Sequence, residues 1–417
     1  MLVSLLAGYA FCMPAGAQEV VDPDEQMVPS RVLQPDTFVV DSVAEDTSLP
    51  WPQAIQARID HLLESDVFEK STVGLMVYDL TADSTIYEYQ ARQCMRPAST
   101  MKLITAVTAL DRLGGSHPFK TQLAYTGKIN EHVLEGNVYC RGGFDPRFNS
   151  DDLNAFVESL RKMGIDTIRG HVYADLSMKD KDVLGEGWCW DDDNPVLTPL
   201  LLSGKNQFMR RFRKELSDAK IVLTGDTLRG TTPHHASPLC TRFHTMDQIL
   251  MRMMKKSDNL YAESMFYQTA AEQGGRGATA KDGRTLTNRL IAKMGLDADD
   301  YYVADGSGLS LYNYVSPELE VAFLRYAYRN NEIFIHLLPS LPIAGVDGTL
   351  ESRMKTGFAH ENVKAKTGTV TGVSALAGYC TAANGHYLCF SIINMGIRKA
   401  AVGRHFQNLV CEALCAP

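Results

Sequence analysis

Pro97-Ala98-Ser99-Thr100-Met101-Lys102-Leu103-Ile104 is the stretch on which the reading of this chain turns. Leu103, Ile104, Ala106, Val107 and Leu110 recur at the spacing of a buried helix, which Gly114-Gly115 ends. On a helix, positions three apart share a face, so the Lys102 ammonium can reach back to the Ser99 hydroxyl. A serine hydroxyl is a poor nucleophile at neutral pH unless an adjacent base takes its proton. A lysine serves as that base only where desolvation or nearby positive charge lowers its pKa. Taken alone, S-x-x-K also fits an ordinary helix start with Ser99 as cap and Lys102 in water.

Two later stretches weigh against that ordinary reading. Ser257-Asp258-Asn259 falls between a helical pattern over 248–256 and another over 260–273, so it reads as a tight connector. There Ser257 can relay a proton between Lys102 and a leaving amine, and Asn259 can hydrogen-bond a substrate amide. Without partners the same letters would be an ordinary polar turn. K-T-G occurs twice. Lys355-Thr356-Gly357 ends a segment, 350–354, that reads as helix with Gly357 as its C-cap. Lys366-Thr367-Gly368 follows the alternating Val363-Lys364-Ala365 and leads into a strand signal over 374–380.

The second copy is the one that chemistry can use. An edge strand beside the nucleophile pairs its backbone with an extended peptide. Lys366 and Thr367 then bind a terminal carboxylate, with Gly368 between them and Thr369. The Thr369 N–H joins the Ser99 N–H as an oxyanion hole. In this order the three motifs match those of serine enzymes that attack penicillins or the D-Ala-D-Ala end of cell-wall peptides.

Charge and composition narrow the setting. The chain has 417 residues and a net charge of −8. Residues 18–50 hold eight acids and one base, so the remainder carries about −1. That acidic, proline-dotted stretch reads as a flexible tail. No basic face suggests nucleic acid. Leu2 to Phe11 is an apolar run too short to span a bilayer, and Ala15-Gly16-Ala17 is a small-x-small cleavage signal. The expectation is a signal peptide over 1–17 and export to the periplasm or cell envelope, with no transmembrane segment in the mature chain.

Strand signals near both ends, with helices between them, predict one α/β domain with an antiparallel sheet. Its expected limits are 51–116 and 241–417, interrupted by a smaller inserted α/β domain over 117–240. Expected strands lie near 72–80, 85–90, 119–129, 133–140, 171–176, 363–369, 374–381 and 386–394. Expected helices cover 52–65, 151–163, 283–293, 316–328 and 400–414, besides those that flank the motifs. Eight cysteines remain beyond Cys12, a number compatible with disulfides after export. Counting outward from an Asn384-Gly385 two-residue turn sets Cys380 opposite Cys389, either bridged or as packed thiols. Neither cysteines nor histidines make a metal-site pattern, and no metal or cofactor is expected.

From about Trp51 onward the chain resembles the D-alanyl-D-alanine carboxypeptidase/endopeptidase family S13, the class C low-molecular-mass penicillin-binding proteins. The likeness extends beyond the motifs to Gly142-Gly143-Phe144-Asp145-Pro146 and Gly170-His171-Val172-Tyr173-Ala174-Asp175. It also covers Asp305-Gly306-Ser307-Gly308-Leu309-Ser310 and the run from Pro342 to Thr349. The resemblance implies a penicillin-binding-protein/β-lactamase-like transpeptidase fold and an acyl-enzyme on Ser99. It implies peptidoglycan stem peptides as partners and β-lactam antibiotics as covalent inhibitors. By the same likeness Asp175 matches a family aspartate that binds the stem peptide's distal amino group; a strand-end turn residue is its other reading. Leu311 stands where relatives often carry an arginine that meets an acidic group of that peptide. Two other functions fit the motifs less well: a β-lactamase or esterase with the same chemistry, and a catalytically silent wall-binding module.

Overall fold

Strands from opposite ends of the described chain meet in one sheet. The computed structural model describes residues 49–190 and 194–417; the expected leader and nearly all of the acidic tail lie outside them. β1 (Thr72–Asp79) and β2 (Ser84–Tyr89) join β12 (Lys364–Val370), β13 (Val373–Thr381) and β14 (Tyr387–Met395). The order is β12-β13-β14-β1-β2, antiparallel throughout, which leaves β12 at an edge.

Alternation explains why β1 and β13 read as unbroken apolar runs. Leu75 and Val77 of β1 face one helical layer, and Met76 and Tyr78 face the other, so both faces are covered. α1 (Gln53–Leu63) and α10 (Ala400–Cys415) pack on the first face. On the second lie α2 (Met101–Leu113) and α8 (Pro317–Arg329), joined by α5 (Met246–Lys255), α6 (Asn259–Gly274), α7 (Ala280–Lys293) and α9 (Asn331–Ser340). Every α2 residue from Met101 to Leu110 is buried, as an all-round apolar helix must be. Each large apolar side chain buried there contributes about 1.5–3 kcal/mol. Leu103, Ile104, Val107 and Leu110 together therefore fix the helix that carries Ser99 at its start.

The stretch between α2 and α5 builds two further sheets. One has the order β10-β8-β6-β3-β11, formed by Thr227–Arg229, Val172–Asp175, Val138–Arg141, Pro118–Tyr125 and Ser237–Thr245 respectively. The other, β4-β5-β7-β9, uses Lys128–Asn130, Val133–Glu135, Thr167–Arg169 and Val222–Leu223. α3 (Ser150–Lys162) and α4 (Phe208–Asp218) share their core, where Phe148, Phe156, Phe208 and Phe212 pack ring against ring. Gly142 and Gly143 belong to a close approach: a Cβ on Gly143 would stand 2.0 Å from the Lys120 carbonyl oxygen. From this turn the Phe144 and Gly143 carbonyls accept bonds from Ser264 and Gln268 of α6.

Three expectations need correction. The 350–354 helix is only a 3₁₀ turn, Gly348–Leu350, followed by loop in which Met354 takes φ +52°. Gly357 is therefore no helix cap. A Cβ there would press on the Glu412 carboxylate, which accepts the Phe358 and Ala359 N–H groups. The 383–385 hairpin has three loop residues, not two: Ala382 N–H bonds the His386 carbonyl, and Gly385 takes φ +85°. That single-residue shift pairs Cys380 with Leu388 and Cys389 with Tyr379. Cys380 and Cys389 then point to opposite faces, Cys380 toward Cys411 and Cys415 and Cys389 toward α8 and α9.

All eight described cysteines are free thiols in this fold. Peptide mapping of the non-reduced, alkylated protein is expected to yield no Cys380–Cys389 cross-linked peptide. Finding that link would overturn the β13–β14 register.

Candidate active site

The chain reaches Ser99 through a strained bend. Ala98 sits at φ +48°, a conformation that costs a non-glycine residue about 1–2 kcal/mol. Ser99 follows in a single 3₁₀ turn, Ala98–Thr100, which runs straight into α2. Neighbours hold the bend in place. The Thr100 hydroxyl donates to the Pro97 carbonyl at 2.7 Å. Gly308, at φ +82°, lies so close that a Cβ would fall 1.7 Å from the Ala98 carbonyl oxygen. Strain that is over-determined in this way keeps a side chain aimed.

Lys102 is completely buried and spends its three donors on three neutral oxygens. They are Ser99 Oγ, Asn259 Oδ1 and the Ser307 carbonyl, each at 2.8 Å. Burial lowers its pKa to about 8, against the pull of Asp305, Glu263 and Asp258. An amine so tuned is partly neutral near physiological pH and can accept the Ser99 proton. Lys366 is equally buried. Its ammonium donates to Ser257 Oγ at 2.8 Å and to the Thr367 carbonyl at 2.6 Å. Burial, then the charge of Lys102, holds Lys366 well below the usual lysine range. Among the described residues neither lysine has a carboxylate at ion-pair distance.

The connector between α5 and α6 supplies its residues as the spacing suggests. Ser257 takes φ +55°, and Asp258 caps α6 by accepting the Tyr261 N–H while pairing with Arg252 at 2.8 Å. Asn259 is the first residue of α6, which turns its amide toward Lys102. Its Oδ1 is therefore used internally, and its amide nitrogen is what it has to offer a substrate.

β12 brings the third motif along the sheet edge. A Cβ on Gly368 would stand 2.6 Å from the Pro97 carbonyl oxygen and 3.1 Å from the Ser99 nitrogen. Only glycine lets the strand backbone come this near the serine amide. The Thr367 hydroxyl bonds that of Thr349 at 2.7 Å, and Thr369 is exposed. Lys255 clamps the loop carrying Thr349 through Asp347 at 2.6 Å. The other K-T-G lies exposed in loop, away from this cluster.

Several contributors leave no motif in the sequence. Glu263 sits one turn beyond Asn259 on α6, and its carboxylate accepts the Ser307 N–H at 2.8 Å and the Gly306 N–H at 3.3 Å. Asp305 accepts from Gly308, Ser310, Asn313 and Trp188. Together they shape the loop whose Ser307 carbonyl meets Lys102. Burial, reinforced by Asp305, pushes Glu263 up to about 8. The signal available was its four-residue spacing from Asn259, which shares a helical face.

Among the described residues no hydrogen bond links the Asp175 carboxylate to this cluster. Asp175 ends β8 in the second sheet, is buried, and its two oxygens accept the Ser177 and Thr232 N–H groups. Those bonds are the ones a strand-end turn residue makes, and the contact with a stem peptide rests on the resemblance alone. Leu311 is partly exposed on the loop after Ser310, beside the exposed Tyr312. Among the described residues no cluster of His, Cys, Asp or Glu is arranged to hold a metal.

A serine at a strained helix start, a buried lysine on its hydroxyl and an edge strand at its amide define a penicillin-binding-protein/β-lactamase-type serine hydrolase. The chain belongs to the D-Ala-D-Ala carboxypeptidase 3 (S13) family, whose model matches residues 55–203 and 201–413. It is 27% identical to D-alanyl-D-alanine carboxypeptidase DacB of Haemophilus influenzae, over 77% of this chain and 85% of that protein. It is also 27% identical to a D-alanyl-D-alanine carboxypeptidase of Actinomadura sp., over 82% and 81% of the two chains. The crystal structure of penicillin binding protein 4 from H. influenzae superposes with a TM-score of 0.74 at 26% identity, covering 82% of this chain and 97% of that one. A predatory endopeptidase of Bdellovibrio bacteriovorus, at 18% identity and TM-score 0.56, shares the fold.

The rate constant for acylation by a β-lactam is expected to climb with pH through about 8, because only neutral Lys102 accepts the Ser99 proton. A flat profile between pH 6 and 9 in stopped-flow measurements would exclude that role. Gly368→Ala is expected to slow acylation by roughly a hundredfold or more, since its methyl group displaces β12 from the Ser99 amide.

Proposed function

We propose that Ser99 carries the acyl group in a serine DD-peptidase reaction on peptidoglycan stem peptides. The observation that carries this reading is the buried, partly neutral Lys102 bonded to Ser99 Oγ. A stem peptide lies along the β12 edge as an added strand, with Thr367, Gly368 and Thr369 beside its D-Ala-D-Ala end. Lys366 and Thr367 attract the terminal carboxylate. Ser99 Oγ attacks the carbonyl of the penultimate D-Ala as Lys102 takes its proton. The Ser99 and Thr369 N–H groups receive the developing oxyanion. Ser257, whose oxygen accepts from Lys366, gives its proton to the leaving amine and takes in return the one Lys102 received from Ser99, which leaves Lys102 neutral again. Asn259 offers its amide nitrogen to the substrate backbone, and water then hydrolyses the ester with Lys102 as base.

β-Lactams enter the same path and remain as the acyl adduct. The H. influenzae protein has been crystallised with a β-lactam, which supports this for a relative. Glu263 and Glu320 are buried and hydrogen-bonded into the structure, so neither is placed to drive the rapid deacylation of a β-lactamase. We further assign 117–240 to an inserted domain, and place the mature enzyme in the cell envelope, where its substrate lies.

Ser99→Ala is expected to abolish both the penicillin adduct and release of D-Ala, read by intact-protein mass spectrometry and muropeptide digestion. A stoichiometric adduct on that variant would remove Ser99 from the mechanism. Lys366→Ala is expected to lower kcat/KM by about 10²–10⁴-fold, whereas Lys355→Ala, exposed in loop, leaves it near the parent value. Equal losses would break the distinction between the two K-T-G copies.

A further inference from the structure

Two adjoining cavities, of about 410 and 540 Å³, open where the β3–β6 pair meets the end of α6. Their walls share Gln122 and Arg141, and Lys120 lines the first while Arg276 lines the second. Strand alternation puts these groups there. β3 sends Phe119, Thr121 and Leu123 into the core, which leaves Lys120 and Gln122 on the other face. Arg141 of β6 stands directly opposite Gln122 in register. No acidic side chain lines either cavity, and among the described residues none of the three cations is in an ion pair. The field is felt locally: burial lowers the pKa of His117 at the rim, and Lys120 pushes it the same way. In a body that carries about −1 outside residues 18–50, this is a local concentration of positive charge.

Its position relative to Ser99 is set by helices. α2 starts beside the serine and α6 starts at Asn259, while His117 follows the far end of α2 and Gln268 lies toward the far end of α6. Helix rise puts the cavities roughly 15–20 Å from the nucleophile. They are outside the cleft that holds the scissile bond. Pro118, Met178 and Pro233 add apolar wall, which suits a peptide segment better than a bare inorganic anion.

We propose that these cavities form an accessory site for the free carboxylates of stem peptides, gripping polymeric peptidoglycan while another stem occupies the Ser99 cleft. The proposal rests on the DD-peptidase reading and adds a second point of attachment to it. Arg141 and Gln122 offer adjacent N–H donors suited to a planar carboxylate, and Lys120 and Arg276 supply charge on either side. Two weak grips on one polymer raise the effective concentration of the scissile stem without altering the chemical step.

The test compares the parent with a triple variant, Lys120→Gln, Arg141→Gln and Arg276→Gln, on three readouts. These are acylation by fluorescent penicillin, kcat/KM on a short D-Ala-D-Ala peptide, and product release from purified sacculi stripped of phosphate-bearing polymers. The variant is expected to match the parent on the first two and to fall roughly tenfold on sacculi at low salt, with the gap closing at high salt. Amidating the sacculus carboxylates is expected to slow the parent to the variant's rate. An unchanged rate on sacculi would overturn the accessory site, as would a loss that appears only when phosphate polymers are left in place. Equal loss on the short peptide would assign the cations to the cleft or to folding instead. A parent that is acylated by penicillin yet cleaves neither substrate would overturn the DD-peptidase reading itself, a separate result.

Discussion

Two ammonium groups, Lys102 and Lys366, lie fully buried in one pocket with only neutral oxygens as partners, and the site is arranged around that constraint. Holding Lys102 at a pKa of about 8 corresponds to a cost on the order of 3 kcal/mol for its charged form. A carboxylate placed against it would remove the cost and with it the chemistry, since a salt-bridged lysine keeps its proton. The fold instead keeps its acids one layer out. Glu263 and Asp305 bond to backbone N–H groups of the 305–310 loop and act on Lys102 through space. Near enough to temper the desolvation and too far to capture the proton, they set the amine between two useless extremes.

Such a balance demands rigid surroundings, and the packing supplies them. α2 is buried along ten consecutive residues, so the Ser99 end cannot drift relative to the sheet. Ala98, Ser257 and Gly308 all adopt left-handed backbone angles around the two lysines. Each comes from a different part of the chain, and each is pinned by neighbours from another. The glycine at 368 then permits the edge strand to close against the Ser99 amide. Strain, burial and close approach converge on one small volume.

How much of this the sequence showed depended on whether the signal was local. S-x-x-K on an apolar helix, S-D-N between helices and K-T-G before a strand are local patterns, and the structure brings Ser99, Lys102, Ser257, Asn259 and Lys366 together. The two K-T-G copies separate because only one has strand context. Glu263 was missed because its partner, the Ser307 N–H, lies 44 positions away and leaves no mark on the helix pattern. β11 escaped because it is an exposed edge strand with polar alternation and a proline, and α9 because Pro339 and its β-branched residues mask a helix. The cysteine pairing failed on one loop residue: a two-residue turn was assumed where three close the hairpin, and alternation then exchanged the faces. Asp175 was named by likeness to a family position, and local pattern alone marks it only as the end of β8, where its carboxylate accepts two backbone N–H groups.

The joining of β1 to β14 has a consequence for how the enzyme comes into being. A ribosome releases β1 more than three hundred residues before its partner exists, so its inner edge stays unpaired throughout synthesis. Pairing at that separation is slow, because loop-closure entropy precedes any gain from contact. Lys366 arrives almost as late, on a strand that needs β13 and β14 to have a place. An unfinished chain therefore holds a serine and a lysine without the edge strand that aims substrate at them. Synthesis itself acts as a timer on the activity, and the nascent polypeptide is a zymogen in all but covalent structure.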